Sequence, residues 1–230
     1  MTVPEPSPPT ATPSDDPRDY LAPGSYVDSD HPEIVAWARA HAGEGTALER
    51  AVRLFYAVRD GWRYDPYSMT LVPEDYKASR VLGRRKAFCV PKAVLLTAVV
   101  RAVGIPARLG FADVKNHLTS DKLREVMGTD VFAFHGYADV WLEGAWHKAT
   151  PAFNRELCEH FHVRPLEWDG RSDALFHELS TDGRRHMEYL RDRGRHFDLP
   201  FDAMLAAFGE VYSFHKEAVP AIRDEQFHGA

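Results

Sequence analysis

Covalent chemistry at neutral pH falls to few residues in this chain: two cysteines, Cys89 and Cys158, and twelve histidines. After Cys89 the apolar residues Val90, Val94, Leu95, Ala98, Val99 and Ala102 recur at helical spacing, and Pro91 fits only the first turn of such a helix. The thiol therefore sits at a helix N-terminus, facing about half a positive charge from the macrodipole, with Arg84, Arg85 and Lys86 just upstream. Both effects favour the thiolate, the nucleophilic form. Such a nucleophile needs a base, and His135 lies in a strand-like segment that sets it on one face with Tyr137, Asp139 and Trp141. Asp139 is excluded as the orienting group of that base, because four residues along a strand span about 13 Å. A hairpin folded at Glu143-Gly144 instead sets residues 150 to 152 opposite His135, at Cα separations of roughly 4.5 to 5.5 Å. Thr150 is the candidate partner.

The elements that position these groups follow from local pattern. Helices are expected from about Pro32 to His41 and Thr46 to Arg59, and one or two helical turns from Lys77 to Leu82. Trp62 to Asp65 reads as extended. The Cys89 helix ends at Gly104, Ile105-Pro106 forbids its continuation, and Ala107 to Val114 becomes a strand. Lys115 to Asp130 reads as a polar loop, Val131 to Leu142 and Trp146 to Thr150 as an antiparallel pair, and Asp182 to Arg193 and Asp202 to His215 as helices. The first 24 residues hold seven of the sixteen prolines and read as a disordered tail, leaving 25–230 as one domain.

These residues resemble the transglutaminase-like superfamily. The resemblance runs from about 46 to 155 and rests on Ala78-Ser79-Arg80-Val81-Leu82-Gly83, Phe88-Cys89, Arg101-Ala102-Val103-Gly104-Ile105-Pro106-Ala107-Arg108, Phe134-His135-Gly136-Tyr137-Ala138-Asp139-Val140 and Trp146-His147-Lys148-Ala149-Thr150-Pro151. It implies an α+β, papain-like core in which the cysteine helix packs on an antiparallel sheet, with additional helices at both ends. It also implies a catalytic set of Cys89, His135 and Thr150, acyl transfer through a thioester, and an oxyanion hole that uses the Cys89 N–H. Trp62 and Tyr64, ahead of the cysteine, and Tyr137 are the expected substrate-binding residues. The acyl donor would be a peptide, protein or small molecule, the acceptor an amine or water, and no cofactor is expected. The chain departs from the family at Thr150, where Asp usually precedes the proline, and at Ala87, where glycine usually lies two residues before the cysteine. A hydroxyl lacks the charge that stabilises imidazolium, so Asp113 and Asn154 enter as alternative orienting groups, and a catalytically weak binding module is the alternative function.

Other classes fare worse. A papain-type protease draws an oxyanion glutamine from upstream of its cysteine, and the only glutamine here is Gln226. A metal site would need Cys158, His160 and His162 to share one ion from adjacent positions on one strand, so no metal is expected. The basic run Arg184-Arg185-His186 with Arg191, Arg193 and Arg195 reads as a solvated face paired with Glu188, Asp192 and Asp198. A formal charge of −6 argues against nucleic acid. The longest apolar stretch is far below the ~20 residues of a membrane span, so no membrane partner is expected, and two cysteines suit a cytoplasmic location.

Overall fold

The computed structural model describes residues 14–177 and 179–212. Helix α1 (Pro32–Ala42) begins on proline, and α2 (Ala47–Gly61) opens with a reciprocal capping box between Thr46 and Glu49. Strand β1 (Arg63–Tyr64) follows, then α3 (Ala78–Leu82), β2 (Lys86–Ala87), α4 (Cys89–Ala102), β3 (Ala107–Asn116), α5 (Asp121–Met127), β4 (Val131–Leu142), β5 (Ala145–Ala149), α6 (Arg155–His160), β6 (Met187–His196) and α7 (Phe201–Val211). An antiparallel sheet runs β5-β4-β3-β6, and β1 pairs in parallel with β2.

Helix α4 is the centre of the molecule. Every residue from Cys89 to Arg101 is buried, because α1, α2 and α3 cover one side of the helix and the sheet covers the other. The helix packs tightly on the sheet at Gly136 of β4, where an added Cβ would stand 3.2 Å from Val90 Cα and 3.3 Å from both Ala93 Cβ and the Phe111 ring. Gly136→Ala is therefore expected to push β4 off the helix. The cost should be about 1–3 kcal/mol, read as a lowered midpoint in urea unfolding, and an unchanged midpoint would refute this packing account.

The Arg101-to-Arg108 motif has a physical basis in the turn that it builds. Gly104 takes φ +78° and closes the helix by donating to the Arg101 carbonyl at 2.8 Å. The buried Arg101 guanidinium then donates to the carbonyls of Ala107, Ala22 and Phe197, which locks β3 and two distant segments to the end of the helix. Arg108, on the strand, pairs with Asp139 across the sheet at 2.9 Å.

Three expectations need correction. Residues 17–21 form a 3-10 turn with Tyr20 buried against Trp146 and Phe197, so the tail reading fails for 14–24; residues 1–13 lie outside the described residues. The polar loop after β3 contains α5, capped by Ser120 and closed by Gly128 at φ +73°. The stretch read as a helix over 182–193 is instead β6, an edge strand paired with β3 from Leu109↔His196 to Asn116↔Met187. Of its basic residues, Arg193 pairs with Asp113, Arg195 with Asp192, and Arg185 with Glu188, while Asp198 accepts the backbone N–H groups of residues 25–27. The helix expected over 202–215 is α7; positions 213–215 lie outside the described residues.

Candidate active site

The sequence places Cys89 at the first position of α4, and the fold seals it there. The parallel pairing Tyr64↔Ala87 delivers the approach to the helix, and the N-cap, Phe88, has no side-chain oxygen to occupy the terminal amides. The N–H groups of Cys89 itself, Val90 and Gly136 act on the sulfur and favour its anion. Burial opposes them and prevails: the thiol is 5% exposed and its pKa is pushed up to about 11. The upstream cations do not reverse this, since Arg84 pairs with Asp75 and Lys86 with Asp65. The pre-formed thiolate expected from the sequence is thus corrected to a resting thiol. Alkylation of Cys89 by iodoacetamide should be slow at pH 7 and climb through pH 9–11; a half-maximal rate below pH 8 would overturn this assignment.

His135 immediately precedes Gly136, so the strand residue that touches the sulfur is the neighbour of the imidazole. A β-bulge between Ala112 and Val114 and a left-handed backbone at Phe134 (φ +54°) break the alternation of β4 at this point. Asp113 stabilises that conformation: its Oδ1 accepts the Phe134 N–H at 3.1 Å, and both of its oxygens accept Arg193 of β6 at 2.8 Å. His135 is 3% exposed, its Nε2 makes no hydrogen bond, and Phe176 stacks obliquely on the ring with centroids 4.9 Å apart. Burial lowers the imidazole to a pKa of about 3. The resting site is a neutral thiol and a neutral imidazole.

Thr150 follows the last β5 pair, Ala138↔Ala149, and is 1% exposed. Its buried hydroxyl is turned to the Tyr189 side chain and holds no histidine in this state. Beside it lies a residue that sequence reading missed. Tyr189 of β6 is 37% exposed as a residue, but its inward-turned hydroxyl lies against the Thr150 side chain, accepts the Phe176 N–H at 3.3 Å, and is raised to about 12, mainly by burial of that hydroxyl. The available signal was weak, because Tyr189 lies in a charged segment misread as helical.

The remaining expected residues separate. Tyr64 faces the cysteine: its hydroxyl is buried within electrostatic reach of the sulfur, and its ring meets Phe153 edge-on at 4.8 Å. Trp62 is corrected to a packing residue, with its indole N–H donated to the Val81 carbonyl at 2.9 Å and its ring against Trp37. Tyr137 is likewise corrected. Its ring occupies the space over Gly110, within 5.5 Å of the Arg195 guanidinium, on a charged patch shared with Asp139 and Lys148. Neither alternative orienting group reaches that role: Asp113 is committed to Phe134 and Arg193, and Asn154 accepts the Tyr64 N–H at 3.0 Å. Cys158 and His160 lie on helix α6 and His162 beyond it, so the strand alternation imagined for a metal site does not exist. Among the described residues, no group of three His, Cys, Asp or Glu side chains is arranged to hold a metal ion, and no helix is long and apolar enough to cross a membrane.

The family model for the transglutaminase-like superfamily matches residues 35–151, about half of the chain. The chain belongs to the transglutaminase-like superfamily. Its cysteine-bearing helix on an antiparallel sheet, with helices at both ends, is the α+β fold expected from the motifs. No curated protein matches. Among solved structures, the chain is similar to a candidate cysteine protease from Cytophaga hutchinsonii at 15% identity and TM-score 0.46, covering 80% of this chain and 55% of that one. It is also similar to the arylamine N-acetyltransferase of Mycobacterium abscessus at 17% identity and TM-score 0.38, covering 57% of this chain and 47% of that one. The chain thus spans about half the length of each.

Proposed function

We propose that this member of the superfamily is a cysteine-dependent acyl-transfer enzyme, with Cys89 as nucleophile and His135 as its base. The observation that carries the reading is the meeting of α4 with β4: the Gly136 N–H acts on the Cys89 sulfur, and the adjacent His135 holds a buried, unpartnered ring nitrogen. His135 would take the thiol proton as sulfur attacks an amide, ester or thioester carbonyl. The new C–S bond forms, the bond to the leaving group breaks, and the same proton passes to that group. Water or an amine then attacks the thioester, the C–S bond breaks, and the thiol recovers its proton. The Cys89 and Gly136 amides would hold the developing oxyanion. Thr150, with Tyr189 beside it, would turn toward the imidazole as charge develops there.

The test is an acyl adduct. Brief exposure to p-nitrophenyl acetate should add one acetyl mass to the peptide containing Cys89, and neutral hydroxylamine should remove it as hydroxamate. A stable adduct elsewhere, or none on folded protein, would refute the reading. Absence of an adduct would leave the binding module, which a Thr150 hydroxyl turned to Tyr189 and away from any histidine favours.

A further inference from the structure

Next to the candidate site is a small cleft, open to solvent, that no step of the proposed chemistry explains. Its inner wall is shared with the site. Tyr64 lines it and also faces Cys89, while Phe153 stands 4.7 Å from Phe176, the ring that covers His135. Leu118, Leu123, Leu157, Phe161 and Val163 also line it, and no Asp, Glu, Lys or Arg contributes to the lining. Asn116, Thr119 and Ser120 also line it, but their side chains are bonded to the backbone of their own segment, which leaves His186 as the lining polar group without a partner. His186 is 4% exposed, its Nδ1 is buried without a hydrogen-bond partner, and burial together with His177 lowers its pKa to about 4. A neutral imidazole with an idle ring nitrogen is costly in an apolar wall unless something occupies the cleft and pairs with it.

We propose that the cleft binds the acyl portion of the donor, and that this portion is uncharged and apolar except for one distal hydrogen-bonding atom that meets His186. The inference rests on reading Cys89 as the nucleophile. A charged acyl group would lose its hydration here with no counter-charge to receive it, whereas each buried methylene adds favourable transfer free energy.

Binding is separable from turnover when calorimetry is run on Cys89→Ala with acetamide, hexanamide, 6-hydroxyhexanamide and succinamate. Hexanamide should bind at least about tenfold more tightly than acetamide, and succinamate more weakly than hexanamide by a similar factor. Leu118→Asp should collapse the hexanamide preference, and Leu118→Ala should reduce it if the aspartate variant fails to fold. His186→Phe should weaken 6-hydroxyhexanamide and spare hexanamide. Equal binding of acetamide, hexanamide and succinamate would overturn the proposal. The two readings also fail differently: a chain-length preference without acyl adduct on the wild type would sink the nucleophile and leave the cleft, and adduct without the preference would do the reverse.

Discussion

His135→Ala is expected to lose as much acyl transfer as Cys89→Ala, each by about 10³-fold or more, with the double variant falling no further than either single one. The reason lies in the resting charge state. With the thiol raised to about 11 and the imidazole lowered to about 3, neither group is ionised at pH 7, and the nucleophile arises only when the two exchange a proton in the presence of substrate. An imidazole without its thiol has no proton to take, and a thiol without its imidazole stays protonated. Losses that add in the double variant, or a His135→Ala enzyme within tenfold of wild type, would show that the sulfur is activated by something else. The measurement is single-turnover hydroxamate formation, with circular dichroism to establish that each variant is folded.

The largest effect on stability is expected at Lys92. Its ammonium is fully buried one turn into α4 and donates to the carbonyls of Arg59 and Trp62, both at 2.7 Å, where α2 ends. Lys92→Ala would leave those carbonyls unpaired and open a cavity, at a cost of about 2–4 kcal/mol in urea unfolding. The same residue sets a pH dependence. Burial lowers its pKa from 10.5 to about 7, so between those values the unfolded chain binds more protons than the folded one, and stability rises with pH. Cys89 and Cys158, raised to about 11, act in the opposite sense from about pH 9 upward. The Lys92 contribution should therefore be visible as rising stability from pH 7 to about 8.5, absent in Lys92→Met. A wild type whose stability is flat over that window, matching the variant, would contradict the assignment.

How much of this the sequence disclosed depended on how local each signal was. Helices α1 and α2 declared themselves through Pro32 and the Thr46 cap, and α4 through its periodicity and the Gly104-Ile105-Pro106 stop. The β4–β5 hairpin was legible from its aromatic and β-branched residues around Glu143-Gly144. Helix α5 left signals that the polar composition masked: Ser120 and Gly128 as caps, and Leu123 and Met127 four residues apart. Strand β6 left almost none, because Glu188 to Arg191 are exposed and carry charges on both sides of the pleat, so the alternation that marks a half-buried strand is missing. The ionisation of Cys89 was misjudged for a related reason. A helix terminus and nearby cations are visible in sequence, whereas depth of burial and the salt bridges that occupy those cations belong to the tertiary structure.

Phe134's unfavourable backbone is maintained by an aspartate on one side and an arginine from β6 on the other, and β6 also contributes Tyr189. Yet β6 begins 36 residues after the recognised family segment closes at 151. The portable unit of this fold is accordingly larger than its signature motifs: grafting residues 35–151 into another protein would transplant Cys89 and His135 while leaving behind the brace that keeps the His135-bearing strand bent.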